Sequence, residues 1–299
     1  MTLSELRFIV AVGREKNFRK AAEKCFVSQP ALSLAIKKLE DELGIILFER
    51  SRAEVRTTQA GHSIINQSII VLDEVAKIKS IASRGDGQLE KPFKLGLIYS
   101  IAPYLLPLII PLLRRSAPKM PLEIEENITN NLEKKLRGGY IDGAIVALPF
   151  DFPGIDTIAL YEEPFVCIVP IKHQWSKNNA IKNKDLLKEK VLLLDNNQHC
   201  YSNQVQEACP GLSKIGEIQS GHSLETIRNM VASNLGISVL PQSATTSRHK
   251  NPLVKVIPFE EPPPYRRVVL AYRKSMVKKN AINEITKAIN NINKSTFDQ

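Results

Sequence analysis

The first 44 residues carry apolar side chains at the spacing of short amphipathic helices. Leu6 and Val10 share one face of a first predicted helix, and a second run over residues 18–25 repeats that spacing. A third helix is predicted to begin after Ser28, a residue type that caps helix N-termini, and to end before Gly44. Its apolar side chains fall on one inner face, which leaves a small, polar outer face. The inner residues are Leu32, Ile36, Leu39 and Leu43.

Two short β-forming runs and one long helix follow. Residues 47–50 and 55–57 flank a polar turn and predict a hairpin that forms a wing beside the third helix. A helix capped by one of the two preceding threonines is then predicted over residues 59–84, and at 1.5 Å per residue it would be roughly 40 Å long. Its apolar stripe predicts a partner helix. Because residues 83–87 hold two glycines among polar neighbours, we place a hinge and the domain boundary there.

From residue 93 onward, short apolar strands alternate with helical segments, which is the pattern of an α/β fold. A lysine-rich terminal helix is predicted after Lys274. Strands are predicted at residues 94–98, 122–124, 143–147, 165–169, 191–194, 237–240 and 268–272, and helices at 102–115, 130–138 and 223–233.

The composition agrees with a folded protein of more than one domain. The chain has 299 residues, of which 43% are hydrophobic and 24% are charged, so a disordered or low-complexity protein is excluded. The net charge of +10 favours a polyanionic partner. The excess is +3 over residues 1–60 and +6 over residues 250–299, so charge alone does not locate a nucleic-acid site.

The N-terminus and the cysteines predict a cytoplasmic protein. Glu5 precedes any apolar stretch and no small-residue cleavage site follows, so the N-terminus does not match a secretory signal. The most apolar stretch, residues 104–113, is half as long as the roughly 20 residues of a membrane helix, so we expect no membrane span. Four cysteines are too few for a disulfide scaffold, and a reducing compartment makes any bridge conditional.

An ordered set of motifs fills the N-terminal region: FRKAAEKCF, VSQPALSLAIKKLE and DELGIILFER in succession, then RTTQAG at residues 56–61. This set resembles the winged helix-turn-helix of LysR-type transcriptional regulators. The resemblance implies a DNA-binding domain over residues 1–58, a linker helix and hinge over 59–87, and an effector domain over 88–299. It also implies three partners: double-stranded DNA with an inverted repeat, further copies of the chain in a homodimer or homotetramer, and RNA polymerase.

The polar face of the third helix and the wing supply the predicted DNA contacts. A helix with small polar residues and lysines fits the major groove, where hydroxyl, amide and amine groups reach base edges. Cations on the wing would contact phosphates or the minor groove. A helical bundle used only for protein contact would carry the same helices, and Arg50 could instead pair with Glu49 or Glu54. The predicted contacts are Ser28, Gln29, Pro30, Ser33, Lys37, Arg50, Arg52 and Arg56.

Three further segments extend the resemblance over the whole chain. They are DNNQHCYSNQVQEACP at 195–210, SLETIRNMVASNLGISVLP at 223–241 and YRRVVLAYR at 265–273. Together they are similar to the hydrogen-peroxide-sensing branch of that family, the OxyR-type regulators. The branch implies an effector domain of two α/β subdomains built like periplasmic solute-binding proteins. By analogy, subdomain I is residues 93–163 with 268–299, and subdomain II is residues 164–267.

Cys200 has the surroundings of a reactive thiol. It stands where residues 202–208, which are helical in composition, would begin, and a helix N-terminus or a nearby cation lowers the pKa of a thiol. The resemblance makes Cys200 and Cys209 a reversible disulfide pair that responds to hydrogen peroxide. Cys25 and Cys167 lie in apolar-periodic segments, so we expect them to be buried, structural thiols.

The resemblance also implies a pocket of polar side chains around Cys200 that binds the peroxide. Ser100 stands where the family commonly has threonine, which keeps the hydroxyl but loosens its rotamer. Thr129 and Arg267 could each instead be an ordinary helix cap or salt-bridge member. The predicted pocket residues are Ser100, Thr129, His199 and Arg267.

A zinc site is the alternative use of His199, Cys200, Cys209 and His222, because imidazole and thiolate bind zinc. The sequence has no C-x-x-C spacing, however. No Gly-rich loop follows a strand with the spacing of a phosphate or dinucleotide site. We therefore expect neither a metal nor a cofactor.

These observations favour a redox-responsive transcription regulator without enzymatic turnover. One alternative keeps the LysR-type framework but takes a small organic anion as effector, with silent cysteines; thiol titration before and after peroxide separates the two. A second alternative is a thiol peroxidase, against which the DNA-reading segment argues. Peroxide turnover with a reductant decides that case.

The two kinds of DNA contact predict different effects of substitution. Arg52→Ala removes a phosphate contact, so affinity should fall for all sequences and the slope of log affinity against log salt should flatten by roughly 0.9. Gln29→Ala removes a base contact, so the preference among operator variants should relax. Titrations at several salt concentrations, on an inverted repeat and on mismatched sites, measure both effects. Equal binding of a monomer to a single half-site would contradict the symmetric assembly.

Overall fold

The computed structural model contains an N-terminal helical domain, a long linker helix and a C-terminal α/β domain. The hinge predicted at residues 83–87 lies outside the residues that the structure describes. These are residues 1–50, 55–82, 88–194, 201–209, 220–221 and 223–292.

The N-terminal domain begins with three helices whose starts are fixed by side-chain caps. The Thr2 hydroxyl accepts the backbone N–H of Glu5, and the Glu5 carboxylate accepts the backbone N–H of Thr2, which closes a capping box. Asn17 caps the second helix, and Ser28 caps the third as predicted. Gly44 ends the third helix in the left-handed conformation that favours glycine. The helices are α1 (Leu3–Glu15), α2 (Phe18–Cys25) and α3 (Gln29–Leu43).

A two-stranded wing follows α3. Strand β1 (Phe48–Arg50) pairs antiparallel with β2 (Val55–Thr57), which confirms the predicted hairpin. The Glu40 carboxylate on α3 accepts the backbone N–H of Leu47 at 2.7 Å and that of Phe48 at 3.2 Å. Charge-assisted hydrogen bonds of this kind fix the position of the wing relative to α3.

The linker helix α4 (Gln59–Ala82) closes the core of this domain. Thr58 caps it, because its hydroxyl accepts the backbone N–H three residues further on at 2.9 Å. Ile65 and Ile69 of α4 are buried in the same cluster as the inner face of α3. Ile78 lies on another face of α4 from these two residues and is 67% exposed.

The C-terminal domain is α/β, as the alternation of elements predicts. Its one sheet in the described part of the chain has the order β4-β3-β5-β11-β6-β9-β7-β8, with β10 paired to β6. No helix among the described residues is both long and apolar enough to cross a membrane. The elements are β3 (Phe93–Ile98), α5 (Ala102–Ser116), β4 (Leu122–Asn127), α6 (Thr129–Arg137), β5 (Gly143–Ala147), β6 (Ile155–Pro170), β7 (Val191–Leu194), α7 (Tyr201–Ala208), β8 (Ser220–Gly221), α8 (Leu224–Ala232), β9 (Ile237–Pro241), β10 (Val254–Pro258), β11 (Tyr265–Arg273) and α9 (Lys279–Asn290).

Two hydrophobic cores divide this domain. One core packs α5, α6 and α9 on β3, β5 and β11, and the other packs α7 and α8 on β7, β9 and the second half of β6. Strands β6 and β11 pair antiparallel between the cores. Tyr104 of α5 is packed in the second core, so the two halves also meet through a side chain.

Three strands differ from the sequence prediction, and one of them is β8, a two-residue strand that was not predicted. β6 begins at Ile155 rather than at residue 165, because its first half alternates between more buried and more exposed side chains instead of forming an apolar run. β10 was not predicted, since most of its side chains are exposed at an edge of the sheet. Helix α7 lies where the composition of residues 202–208 predicts one.

Candidate functional site

The N-terminal half of α3 presents a polar surface to solvent. Ser28, Gln29 and Pro30 are exposed, and the Gln29 amide donates to the Ser33 hydroxyl at 3.0 Å. Lys37 is exposed two turns further along. The structure therefore brings the five predicted contacts of this helix to one side.

The wing supplies one described, exposed cation. Arg56 on β2 is exposed and lies opposite Glu49 of β1 in the strand register. The side chain of Arg50 and all of Arg52 lie outside the described residues. Leu34 on α3 was not predicted but is 70% exposed, and an apolar side chain in a groove can contact a thymine methyl group.

A second polar cluster forms at the carboxyl ends of two parallel strands. Ile98 of β3 lies opposite Asn127 of β4, and Ser100 and Thr129 each follow two residues later. Parallel register therefore brings these two predicted residues to the same edge of the sheet. Both are buried, with 3% and 8% of their surface exposed.

Arg266 on β11 completes this cluster. Its guanidinium donates to the Ser100 hydroxyl at 2.7 Å and to the Ser100 carbonyl at 2.9 Å. The other edge of the guanidinium contacts the buried Glu163 carboxylate on β6, at 2.8 Å from Nε and 2.7 Å from Nη2. Glu163 also accepts the backbone N–H of Ser243 at 3.1 Å. Arg266 thus links the Glu163 carboxylate on β6 to the hydroxyl and the backbone carbonyl of Ser100 in the turn after β3.

Arg267, which is a predicted pocket residue, points away from Ser100. Successive side chains of a strand point to opposite faces, and the register sets Arg266 opposite Glu163 but Arg267 opposite Glu162. Arg267 is 59% exposed and donates to Glu162 at 3.1 Å and to the Tyr265 hydroxyl at 3.1 Å. The inward arginine is therefore Arg266, one residue earlier.

A cavity of about 670 Å³ lies between β11, α7 and the loop over residues 148–151. Both arginines line it, Arg266 from the buried side and Arg267 from the exposed side. Gln204, Glu207 and Ala208 of α7 form the facing wall. Helix α7 is thus placed directly against the Arg266 cluster.

The described cysteines differ in burial. Cys209 follows α7 with a helical hydrogen bond to the Val205 carbonyl at 2.8 Å, and it is a free thiol with 1% of its surface exposed. Burial raises the pKa of the Cys209 thiol to about 12. Burial likewise raises the pKa of Cys167, which is buried as predicted. Cys25 is only half-buried, at the end of α2 beside the exposed Phe26.

Cys200 and His199 lie outside the described residues, as does His222. Among the residues that are described, no three His, Cys, Asp or Glu side chains are grouped so that they could bind a metal ion.

Two family models match the chain. Residues 3–62 match the bacterial regulatory helix-turn-helix proteins of the LysR family, and residues 86–291 match the LysR substrate binding domain. The chain belongs to the LysR family.

Its relatives place this LysR-family chain in the OxyR branch. A hydrogen peroxide-inducible genes activator of Haemophilus influenzae is 36% identical over 300 residues, which cover 100% of this chain and 99% of the relative. The DNA-binding transcriptional dual regulator OxyR of Escherichia coli is also 36% identical, over 97% of this chain and 95% of its own. A full-length OxyR variant of Pseudomonas aeruginosa matches with a TM-score of 0.89 and 46% identity, over 97% of this chain and 94% of that one.

Glu163 is a residue of this LysR-family site that the sequence prediction missed. Its signal is weak, because a glutamate in YEEP looks like one of two solvated carboxylates. A buried carboxylate requires a cation, and two adjacent arginines in YRRVV offered one. The sequence therefore allowed the inference that the two glutamates of YEEP pair with the two arginines of YRRVV. It did not show which glutamate and which arginine face inward.

The burial of Cys209 predicts how slowly it is alkylated. With a pKa of about 12, roughly one Cys209 thiol in 10,000 is ionised at pH 8, and only the thiolate reacts. Iodoacetamide should therefore modify Cys209 in reduced, folded protein at least about 100-fold more slowly than in urea, with a rate that rises with pH. Peptide mapping by mass spectrometry measures this, and the half-buried Cys25 is the internal control. Equal rates in folded and unfolded protein would contradict the assignment of Cys209 as a buried thiol.

Proposed function

We propose that this chain is a transcription regulator that binds DNA through its winged helix and responds to hydrogen peroxide through Cys200 and Cys209. The observation that carries the proposal is the similarity to peroxide-inducible activators over the whole chain, DNA-binding and effector parts together, at 36% identity. The chemistry is stoichiometric rather than catalytic, because each oxidation consumes the two thiols.

The first step takes place at Cys200. Its thiolate attacks one peroxide oxygen, the O–O bond breaks, and the departing hydroxide takes a proton and leaves as water, so that Cys200 becomes a sulfenic acid. The Cys209 sulfur then displaces the remaining oxygen as a second water and forms the disulfide. Peroxide is the oxidant, and the two thiols supply both electrons.

Arg266 is the cation proposed to assist that step. Its guanidinium is desolvated and already fixed by Glu163, so it loses little freedom when it binds a peroxide oxygen or the developing negative charge. The Ser100 hydroxyl, which accepts from Arg266, can turn its own proton toward the same place. Thr129 and His199 are the remaining proposed donors around the peroxide, and Arg267 is not among them.

Formation of the disulfide requires α7 to unwind. Eight helical steps separate the Cα atoms of Tyr201 and Cys209 by roughly 12 Å, and Cys200 is joined to Tyr201 by a peptide that spans about 3.8 Å. While α7 persists, the two cysteine Cα atoms are therefore at least about 8 Å apart, whereas a disulfide needs about 4.4 to 6.8 Å. We infer that the bridged form presents a different surface to a neighbouring subunit, which changes the spacing of the DNA-binding domains.

The assembly is proposed to be a homodimer or homotetramer on an inverted repeat. Ile70 and Ile78 lie on another face of α4 from the buried Ile65 and Ile69 and are 39% and 67% exposed, and this exposed apolar face supports a helical partner from a second copy. Ser28, Gln29, Pro30, Ser33 and Lys37 are the proposed major-groove residues, with Arg50, Arg52 and Arg56 on the backbone. We further propose contact with RNA polymerase and a cytoplasmic location.

Two adjacent arginines allow a matched test of the pocket. Arg266→Lys keeps a cation opposite Glu163 but cannot reach both Ser100 oxygens, so the rate constant for peroxide oxidation of Cys200 should fall by roughly 100-fold. Arg267→Lys, at the exposed neighbour, should change it by less than about twofold. Quenched-flow trapping of free thiols measures both rates.

The same experiment separates the alternatives. Equal losses in the two variants would contradict the role of Arg266. Thiols that stay reduced in parent protein at mild peroxide would contradict the proposed function and favour a small organic anion as effector, and sustained peroxide consumption with a reductant would favour a thiol peroxidase.

A further inference from the structure

A network of hydrogen bonds joins the winged-helix domain to the effector domain within one chain. Arg273, at the end of β11, donates to the Leu136 carbonyl at 2.7 Å and to the Ile141 carbonyl at 2.9 Å. Its Nε contacts the Asp73 carboxylate of the linker helix α4 at 3.1 Å. Asp73 also accepts the Ser275 hydroxyl at 2.7 Å. A nearly buried arginine of the effector domain is therefore paired with the linker helix.

A second arginine contacts the same loop from the DNA-binding side. Arg14 at the end of α1 donates to the Gly139 carbonyl at 3.0 Å and to the Gly138 carbonyl at 3.3 Å. Tyr140 returns a hydrogen bond from its hydroxyl to the Gly13 carbonyl at 3.1 Å. Gly139 has a φ of 66°, and a Cβ on it would lie 2.5 Å from the Arg14 guanidinium, so only glycine allows this approach.

The segment over residues 136–141, which is the end of α6 and the loop after it, is thus held between two arginines, one from each domain. Burial and the charge of Arg273 lower the pKa of Arg14, and the charges of Tyr140, Asp73 and Asp142 oppose that effect. Asp73, which contacts Arg273 directly, is one of the groups that offset the repulsion between the two guanidinium groups. We call Arg14, Asp73, Arg273 and this loop the interdomain joint.

Strand β11 connects the joint to the pocket. Arg266 and Arg273 are seven residues apart on this strand, a distance of roughly 23 Å, and residues 268–272 between them pair with β5 on one side and β6 on the other. The pairing with β6 shifts by one residue between Val268 and Val269 but covers the whole strand, so a displacement of β11 at one end is transmitted to the other. At the Arg273 end, this displacement reaches the linker helix α4 through Asp73, and α4 packs in the core of the winged-helix domain.

We propose that the interdomain joint fixes the orientation of the DNA-binding domain relative to the effector domain. Through β11, this orientation depends on whether the pocket around Arg266 is in the reduced or the oxidised protein. The proposal rests on the proposed function, because peroxide oxidation is the signal that is transmitted. The contacts of the interdomain joint are observed independently of that function. In this view Asp73 and Arg14 are positioning residues, which act on the DNA through the winged helix and do not touch peroxide.

The test compares two neighbouring carboxylates of α4 in the full chain. Asp73→Asn removes the charge that holds Arg273, whereas Glu74→Gln removes an exposed charge that pairs with Lys77 on the same helix. For each variant we would measure Cys200 oxidation, hydroxyl-radical footprints of reduced and oxidised protein on an inverted repeat, and amide hydrogen exchange of residues 136–141.

Asp73→Asn should oxidise at the parent's rate, lose the difference between reduced and oxidised footprints, and exchange the loop amides roughly tenfold faster. Glu74→Gln should match the parent in all three. Parental footprints in both redox states of Asp73→Asn would overturn the proposal. If Asp73→Asn does not fold, Arg14→Gln, which loses the contacts to the loop carbonyls and to the Tyr140 ring, gives the same readouts and the same decision.

The outcome for the parent separates this proposal from the proposed function. A parent whose footprint ignores peroxide contradicts peroxide sensing. In that case the proposal for the interdomain joint is tested by comparing the footprint of Asp73→Asn with that of the parent. Identical footprints would overturn the proposal.

Discussion

The antiparallel pairing of β6 with β11 is the constraint on which the rest of the effector domain depends. The two strands run between both hydrophobic cores, and their register places Arg266 opposite Glu163. This register therefore determines which arginine is buried, which residue holds the turn at Ser100 and which side chains α7 packs against. At its far end the same strand carries Arg273 to the linker helix. The pairing of one strand thus orders both the pocket and the contact with the DNA-binding domain.

The buried ion pair gives that register its specificity. A guanidinium and a carboxylate with 1% and 4% side-chain exposure are stable only if each finds its partner, and removing one partner of such a pair costs about 3–5 kcal/mol. A one-residue slip of β11 would set Arg267 instead of Arg266 opposite Glu163 and move every neighbouring side chain of β11 to the other face. The exposed pair of Arg267 with Glu162 is screened by water and contributes far less.

Much of the architecture follows from local patterns in the sequence. The caps Ser28 and Thr58, the hairpin and the apolar strands were predictable because each depends on neighbouring residues. The inward arginine was not, because two adjacent arginines are equivalent until a partner strand fixes the register. The joint was missed for a similar reason: Arg14 and Asp73 read as solvated charges, and their partners lie more than 120 residues away in the chain.

The proposed switch is that oxidation at Cys200 and Cys209 unwinds α7 beside the Arg266 cluster. Amide hydrogen exchange of the peptide that spans residues 201–209, followed by mass spectrometry in reduced and peroxide-treated protein, measures this unwinding. Protected amides are expected in the reduced form, including that of Cys209 on the Val205 carbonyl, and this protection should be lost once the disulfide has formed. Protection that persists in protein whose disulfide is confirmed by peptide mapping would contradict it.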